Sequence, residues 1–312
     1  MNILTSKSPL DGPFMTLVRR ELWEHRSLVW APLVMALTII VLSLVSGAVN
    51  GGMDIRLGDE RPLSELLSDP DKQRGIFAVL LAGLVLPQLL VGFVVVFFYL
   101  LDCLFTERRD RSILFWKSLP VSDTKTVLSK LFVALVAVPL WIWALSLVVG
   151  LSVFGVVAAT VLGTPFAGLG AWHGGTWLAV QASMLGKMAI AALWYLPVAG
   201  WLLLVSVLAK RAPFVWATLP FLVLSIAERN AIGTQWIGSL VARRLFGFGE
   251  EISFSVTRST TDATGVGEAI SRSQSMTTEF PLLTSPELWF GALVGAGLVC
   301  AAIRLRRRSD DS

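Results

Sequence analysis

Residues Glu107 to Asp123 read E-R-R-D-R-S-I-L-F-W-K-S-L-P-V-S-D, a polar interruption between two strongly apolar runs. Its charges need water, while Ile113, Leu114, Phe115 and Trp116 need an apolar surface, so the stretch is suited to the face of a bilayer or to a second protein. The flanking runs, 76–101 and 127–158, each supply the roughly 20 apolar residues that cross about 30 Å of hydrocarbon. Of the 312 residues 54% are hydrophobic and 15% charged, against roughly 25% charged in soluble domains. An all-α membrane protein follows, because a helix satisfies its own backbone hydrogen bonds in lipid. No polar block is long enough to bury a separate core, so 1–312 is expected to form a single transmembrane domain.

Outward from that stretch, six spans are expected, at about 29–49, 76–101, 127–158, 177–209, 213–227 and 286–303. Ahead of the first, Phe14, Leu17, Val18, Leu22 and Leu28 fall near helical spacing, with Arg19, Arg20, Glu24 and Arg26 on the other side. That spacing predicts an interfacial helix over 14–28, with a plain extension of the first span as the alternative. Ser122 or Asp123 offers an N-cap for the third span, and Pro87 and Pro197 predict bends in the second and fourth. The run 213–227 is short for a crossing. Beyond it, the mixed segment 232–248, with Arg243 and Arg244, fits a re-entrant piece dipping into the outer leaflet within an outer loop over 228–285.

Short connections set orientation. The 163–175 loop holds no Lys or Arg, whereas the tight turn before Pro213 carries Lys210 and Arg211. Both termini and the Glu107–Asp123 stretch are therefore expected in the cytoplasm. Orientation also accounts for the net charge of +4, since the basic residues flank apolar runs instead of forming the patch with interleaved aromatics that nucleic acid requires. Cys103 and Cys300 are too few for a disulfide framework and read as packing residues.

Chemistry within the chain is sparse. No G-x-x-x-x-G-K-[ST] or H-E-x-x-H occurs, and His25 and His173 are expected on opposite membrane faces, so no nucleotide site, metal site, cofactor or catalytic set is expected. Glu228 and Arg229 follow the short fifth run and read either as lining or gating a pathway or as a salt bridge at a helix end. Lys187 lies inside a span, from which it can snorkel.

The stretch E-R-R-D-R-S-I-L-F-W-K-S-L-P-V-S-D-T-K-T-V-L-S-K resembles the loop between spans two and three of bacterial ABC-2 type transporter permeases. S-P-E-L-W-F-G-A-L before a last span ending in R-L-R-R-R is similar to their C-terminal end. The resemblance implies the architecture of a type V ABC exporter: a permease half in the bacterial inner membrane, pairing with a second copy or a homologue. It further implies two cytoplasmic ATP-binding cassette subunits, which bring ATP and Mg and hydrolyse the nucleotide. Those subunits would dock on a coupling helix within the loop 104–123, through Glu107, Arg108, Arg109, Asp110, Arg111, Ile113, Phe115, Trp116, Leu119 and Pro120. Periodicity alone leaves a strand open for S-I-L-F-W. The cargo implied is hydrophobic or amphipathic. A secondary transporter or channel without a motor is the alternative, and it calls for inverted repeats and ionisable residues at mid-membrane.

Overall fold

The computed structural model describes residues 13–49, 70–110, 122–161, 174–252 and 281–308, and among these every regular element is helical. The chain opens with α1 (Pro13–Glu24), turns at His25 and Arg26, and enters α2 (Ser27–Val49). The 14–28 helix expected from the sequence thus ends at Glu24. Leu17 and Val18 are buried beneath α1, and Phe14 meets Phe132 edge-on at 5.7 Å.

α3 (Pro70–Arg109) is the longest helix, and at 1.5 Å per residue it spans about 60 Å, so it extends well beyond the hydrocarbon. Gly92 lies midway, where a Cβ would overlap the Ile142 side chain, and the missing side chain lets the neighbouring helix approach. α4 (Asp123–Phe132) begins at an N-cap formed by Ser122, whose hydroxyl accepts from the Lys125 amide at 3.4 Å. A single π-helical turn (Val133–Ala137) joins it to α5 (Val138–Val161).

The run 177–209, read from sequence as one span, is two helices, α6 (Gly174–Trp194) and α7 (Leu196–Leu208). The break falls at Tyr195. Pro197 has no N–H to give the preceding turn, and this is the bend its position predicted. After Lys210 and Arg211, Ala212 adopts a left-handed conformation (φ 47°) and Pro213 starts α8 (Pro213–Ala231). This helix outruns the 213–227 span and takes in Glu228 and Arg229, so the expected outer loop does not begin at 228. α9 (Trp236–Ile252) follows, and α10 (Pro286–Arg308) closes the fold behind a Ser285 cap that accepts from the Leu288 amide.

Among the described residues, five helical stretches are long and apolar enough to cross a membrane: Ser27–Gly47, Leu80–Arg109, Asp123–Thr160, Gly174–Trp194 and Pro286–Arg308. The chain is thus built as an all-α, multi-pass membrane protein. Its tightest seam lies between α7 and α10. A Cβ on Gly200 would come within 2.8 Å of the Gly295 carbonyl oxygen, and one on Gly295 within 2.6 Å of the backbone at Leu196 and Pro197. Small residues here let two backbones touch, which is how helices associate where lipid supplies no hydrophobic drive.

The main core gathers α1, the C-terminal half of α3, the start of the third span, α7 and the end of α10 at one end of the bundle. That end also receives both sides of the connection between α3 and α4.

Candidate functional site

At this end, a chain of alternating charges is packed between helices. Lys130 of α4 is 1% exposed and places its Nζ 2.7 Å from Glu21 Oε1 and 2.9 Å from Glu107 Oε1. The second Glu21 oxygen accepts from the Tyr99 hydroxyl at 3.0 Å. Glu107 Oε2 lies 3.0 Å from Arg306 Nη1, and Arg306 Nε donates to Asp123 Oδ1 at 3.2 Å. Beside it, Arg307 donates to the Thr124 hydroxyl at 2.9 Å. The carboxylates of α1, α3 and α4 are thereby interleaved with the cations of α4 and α10.

Helix periodicity brings the members together. Glu21 lies seven residues after Phe14, four after Leu17 and three after Val18, so it falls on the apolar face of α1 and is carried inward with them. Tyr99, Cys103 and Glu107 follow one another at four-residue intervals down α3, and all are buried. Asp123 and Lys130, seven apart, share a face of α4, and Arg306 arrives on the last turn of α10. Each charge desolvated here has a counter-ion within about 3 Å, the condition under which burial of charge is tolerated.

His25 borders the network, its ring edge-on to Tyr99 at 4.8 Å. Burial, the largest influence, holds its imidazole below the ordinary value of 6.5 against the opposing pull of the Glu21 carboxylate. Burial accordingly favours the neutral ring.

The residues expected to dock a partner divide into three groups. Glu107 points inward and is only 7% exposed, so its carboxylate ties helices together and does not face outward. Arg108 also turns inward, donating through Nη2 to the carbonyls of Ser206 at 2.7 Å and Ala209 at 2.9 Å and so closing the C-terminus of α7. Arg109 and Asp110 are exposed and paired with each other at 3.1 Å, and the Arg109 guanidinium also lies over the Phe105 ring. Arg111, Ile113, Phe115, Trp116, Leu119 and Pro120 lie outside the described residues.

At the far end of α8, Glu228 is nearly buried. Its Oε1 accepts from the Thr234 hydroxyl at 2.6 Å and the Trp236 amide at 2.7 Å, and its Oε2 accepts from the Ile237 amide at 2.8 Å. The carboxylate therefore caps the N-terminus of α9, satisfying donors that a helix start leaves open, and folds α8 and α9 into a hairpin. Arg229, its predicted companion, is exposed. The middle of α9 is fastened to the break between α6 and α7: Trp194 Nε1 donates to the Arg244 carbonyl and the Tyr195 hydroxyl to the Leu245 carbonyl, both at 3.1 Å.

Among the described residues, no group of His, Cys, Asp and Glu side chains is arranged to hold a metal ion. No family model, curated protein or solved structure matches the chain.

Proposed function

We propose that this chain is the membrane-spanning subunit of an ATP-driven exporter resembling the ABC-2 type permeases. It carries a hydrophobic or amphipathic cargo across a bacterial inner membrane by alternating access. α8 serves as the fifth of six spans, its 19 residues rising about 28 Å, and α9 is the re-entrant piece. Both termini lie in the cytoplasm. The connection between α3 and α4 contains a coupling helix that receives a separate ATP-binding subunit, and a second permease copy completes the assembly.

One observation carries the reading: both ends of the α3–α4 loop are clamped into the same buried network. Glu107 on one side and Asp123 on the other are both held by Arg306, while Lys130 links Glu107 to α1 through Glu21. A load applied to the loop is therefore borne at once by α1, α3, α4 and α10. Packed interiors transmit such a load because they rearrange between discrete arrangements instead of yielding gradually. Glu107 and Arg108 act as positioning residues behind the loop, and the outward contacts fall to Arg109, Asp110 and the apolar residues Ile113 to Trp116.

The test is copurification of the ATP-binding subunit with the full chain. Trp116→Ala or Arg109→Glu is expected to abolish it while the permease still folds. Unchanged assembly and transport in both variants would remove docking at this loop.

A further inference from the structure

α1 has a second face, directed away from the network. Met15, Thr16, Arg19, Arg20, Trp23 and Glu24 form a shallow, open groove along this side of the one helix. Trp23 is 69% exposed. Arg20 and Glu24 offset each other through contacts of 2.6 and 3.1 Å. Arg19 lies over the Trp23 ring at 5.2 Å, and neither it nor Arg26, exposed at the bend, forms an ion pair among the described residues. The groove is thus an aromatic floor with uncompensated positive charge.

Its level in the bilayer follows from α2, whose membrane-crossing stretch begins at Ser27, just past the end of α1. The groove consequently sits where hydrocarbon gives way to headgroups, the depth that Trp and Arg favour. A guanidinium offers a phosphate paired donors in a fixed plane, and stacking on an aromatic ring holds that plane in position. A second copy meeting this face through its own counterpart would set arginine against arginine.

We propose that the groove binds the headgroup of an anionic phospholipid. Arg19 donates to the phosphate, the Trp23 ring holds the guanidinium from behind, and Arg26 adds a second positive charge. Because Glu21 on the opposite face of the same helix is paired with Lys130, a bound headgroup also fixes the helix that seats the network. The inference goes beyond the exporter reading and requires only the membrane placement of α2.

The test uses the purified full chain without any partner, carrying Met15→p-benzoylphenylalanine, in liposomes of equal phosphatidylglycerol and phosphatidylcholine. Mass spectrometry then reads the photocrosslinked species. Phosphatidylglycerol is expected to be enriched about fivefold or more over phosphatidylcholine, the scale of one basic contact at an anionic surface. Arg19→Gln should bring the ratio close to parity, and Arg19→Lys, which keeps the charge but loses the planar paired donors, should retain only part of the enrichment. Parity in the chain with Arg19 intact, enrichment unchanged in Arg19→Gln, or crosslinks into another polypeptide would each overturn the proposal, and the first and last do so whether or not the variants fold.

Discussion

Glu107 and Glu228 both join helices, and they do so at opposite ends of the molecule by different means. Glu107 is surrounded by Lys130 and Arg306, full charges brought from α4 and α10. Glu228 is met by a hydroxyl and two backbone amides, all supplied by the turn and helix that directly follow it. The first arrangement ties together segments far apart in the chain, and any member left alone becomes a buried, unpaired charge. The second is a local cap whose donors can turn to water. One end of the bundle is therefore braced between distant segments, and the other is held by a local hinge between α8 and α9.

The largest expected effect tests the brace. Lys130→Met leaves both Glu21 and Glu107 without their nearest cation, and removing one partner of a buried pair costs about 3–5 kcal/mol. Thermal or denaturant unfolding in detergent should show that loss, and adding Glu21→Gln should recover part of it, because one uncompensated charge disappears as well. Strictly additive effects in the double variant would mean that the pair acts as two separate residues and would end the contrast with the hinge.

A smaller, local effect is expected at the hinge. Glu228→Ala removes the cap of α9 and should accelerate amide hydrogen exchange at Trp236 and Ile237 while leaving exchange in α4 and α10 unchanged. Faster exchange spreading to the network would show that the two ends are one cooperative unit.

The smallest effect concerns pH at the rim of the brace. Because folding holds the His25 imidazole below 6.5, the folded state favours the neutral ring. Its contribution is complete above about 6.5 and is lost as pH falls through the lower folded value, where the unfolded chain binds the proton more readily. His25→Gln should flatten the decline in stability just below pH 6.5. An identical profile in the variant would assign that decline to the carboxylates alone.

The apolar runs were legible because bilayer thickness imposes a length that composition reveals, and the cap was legible as Ser122 or Asp123, of which the structure uses Ser122. Glu21 carried a signal of its own, a carboxylate at helical spacing from Phe14, Leu17 and Val18, yet its neighbours Arg19, Arg20 and Glu24 make the whole stretch look like a charged face. Lys130 and Arg306 carry no local signal of their pairing, because their partners lie 109 and 183 residues away in the chain. Pairing over such distances is decided by how helices pack, which spacing does not encode. Glu107 was assigned outward for the same reason. Glu228 to Asn230 looked like the end of a span, but the helix continues, because the carboxylate serves the start of the next helix and so does not need to face bulk water.

The position of Arg306 bears on how the protein is made. Ribosomal synthesis delivers Glu21 first, then Glu107, Asp123 and Lys130, and supplies Arg306 only when α10 emerges. Until then the Asp123 carboxylate lacks the cation that later holds it, so insertion of the last helix does more than add a span: it completes the neutralisation of groups already delivered to the bilayer. A chain arrested before α10 would thus leave Asp123 without its Arg306 partner and Glu107 with Lys130 alone.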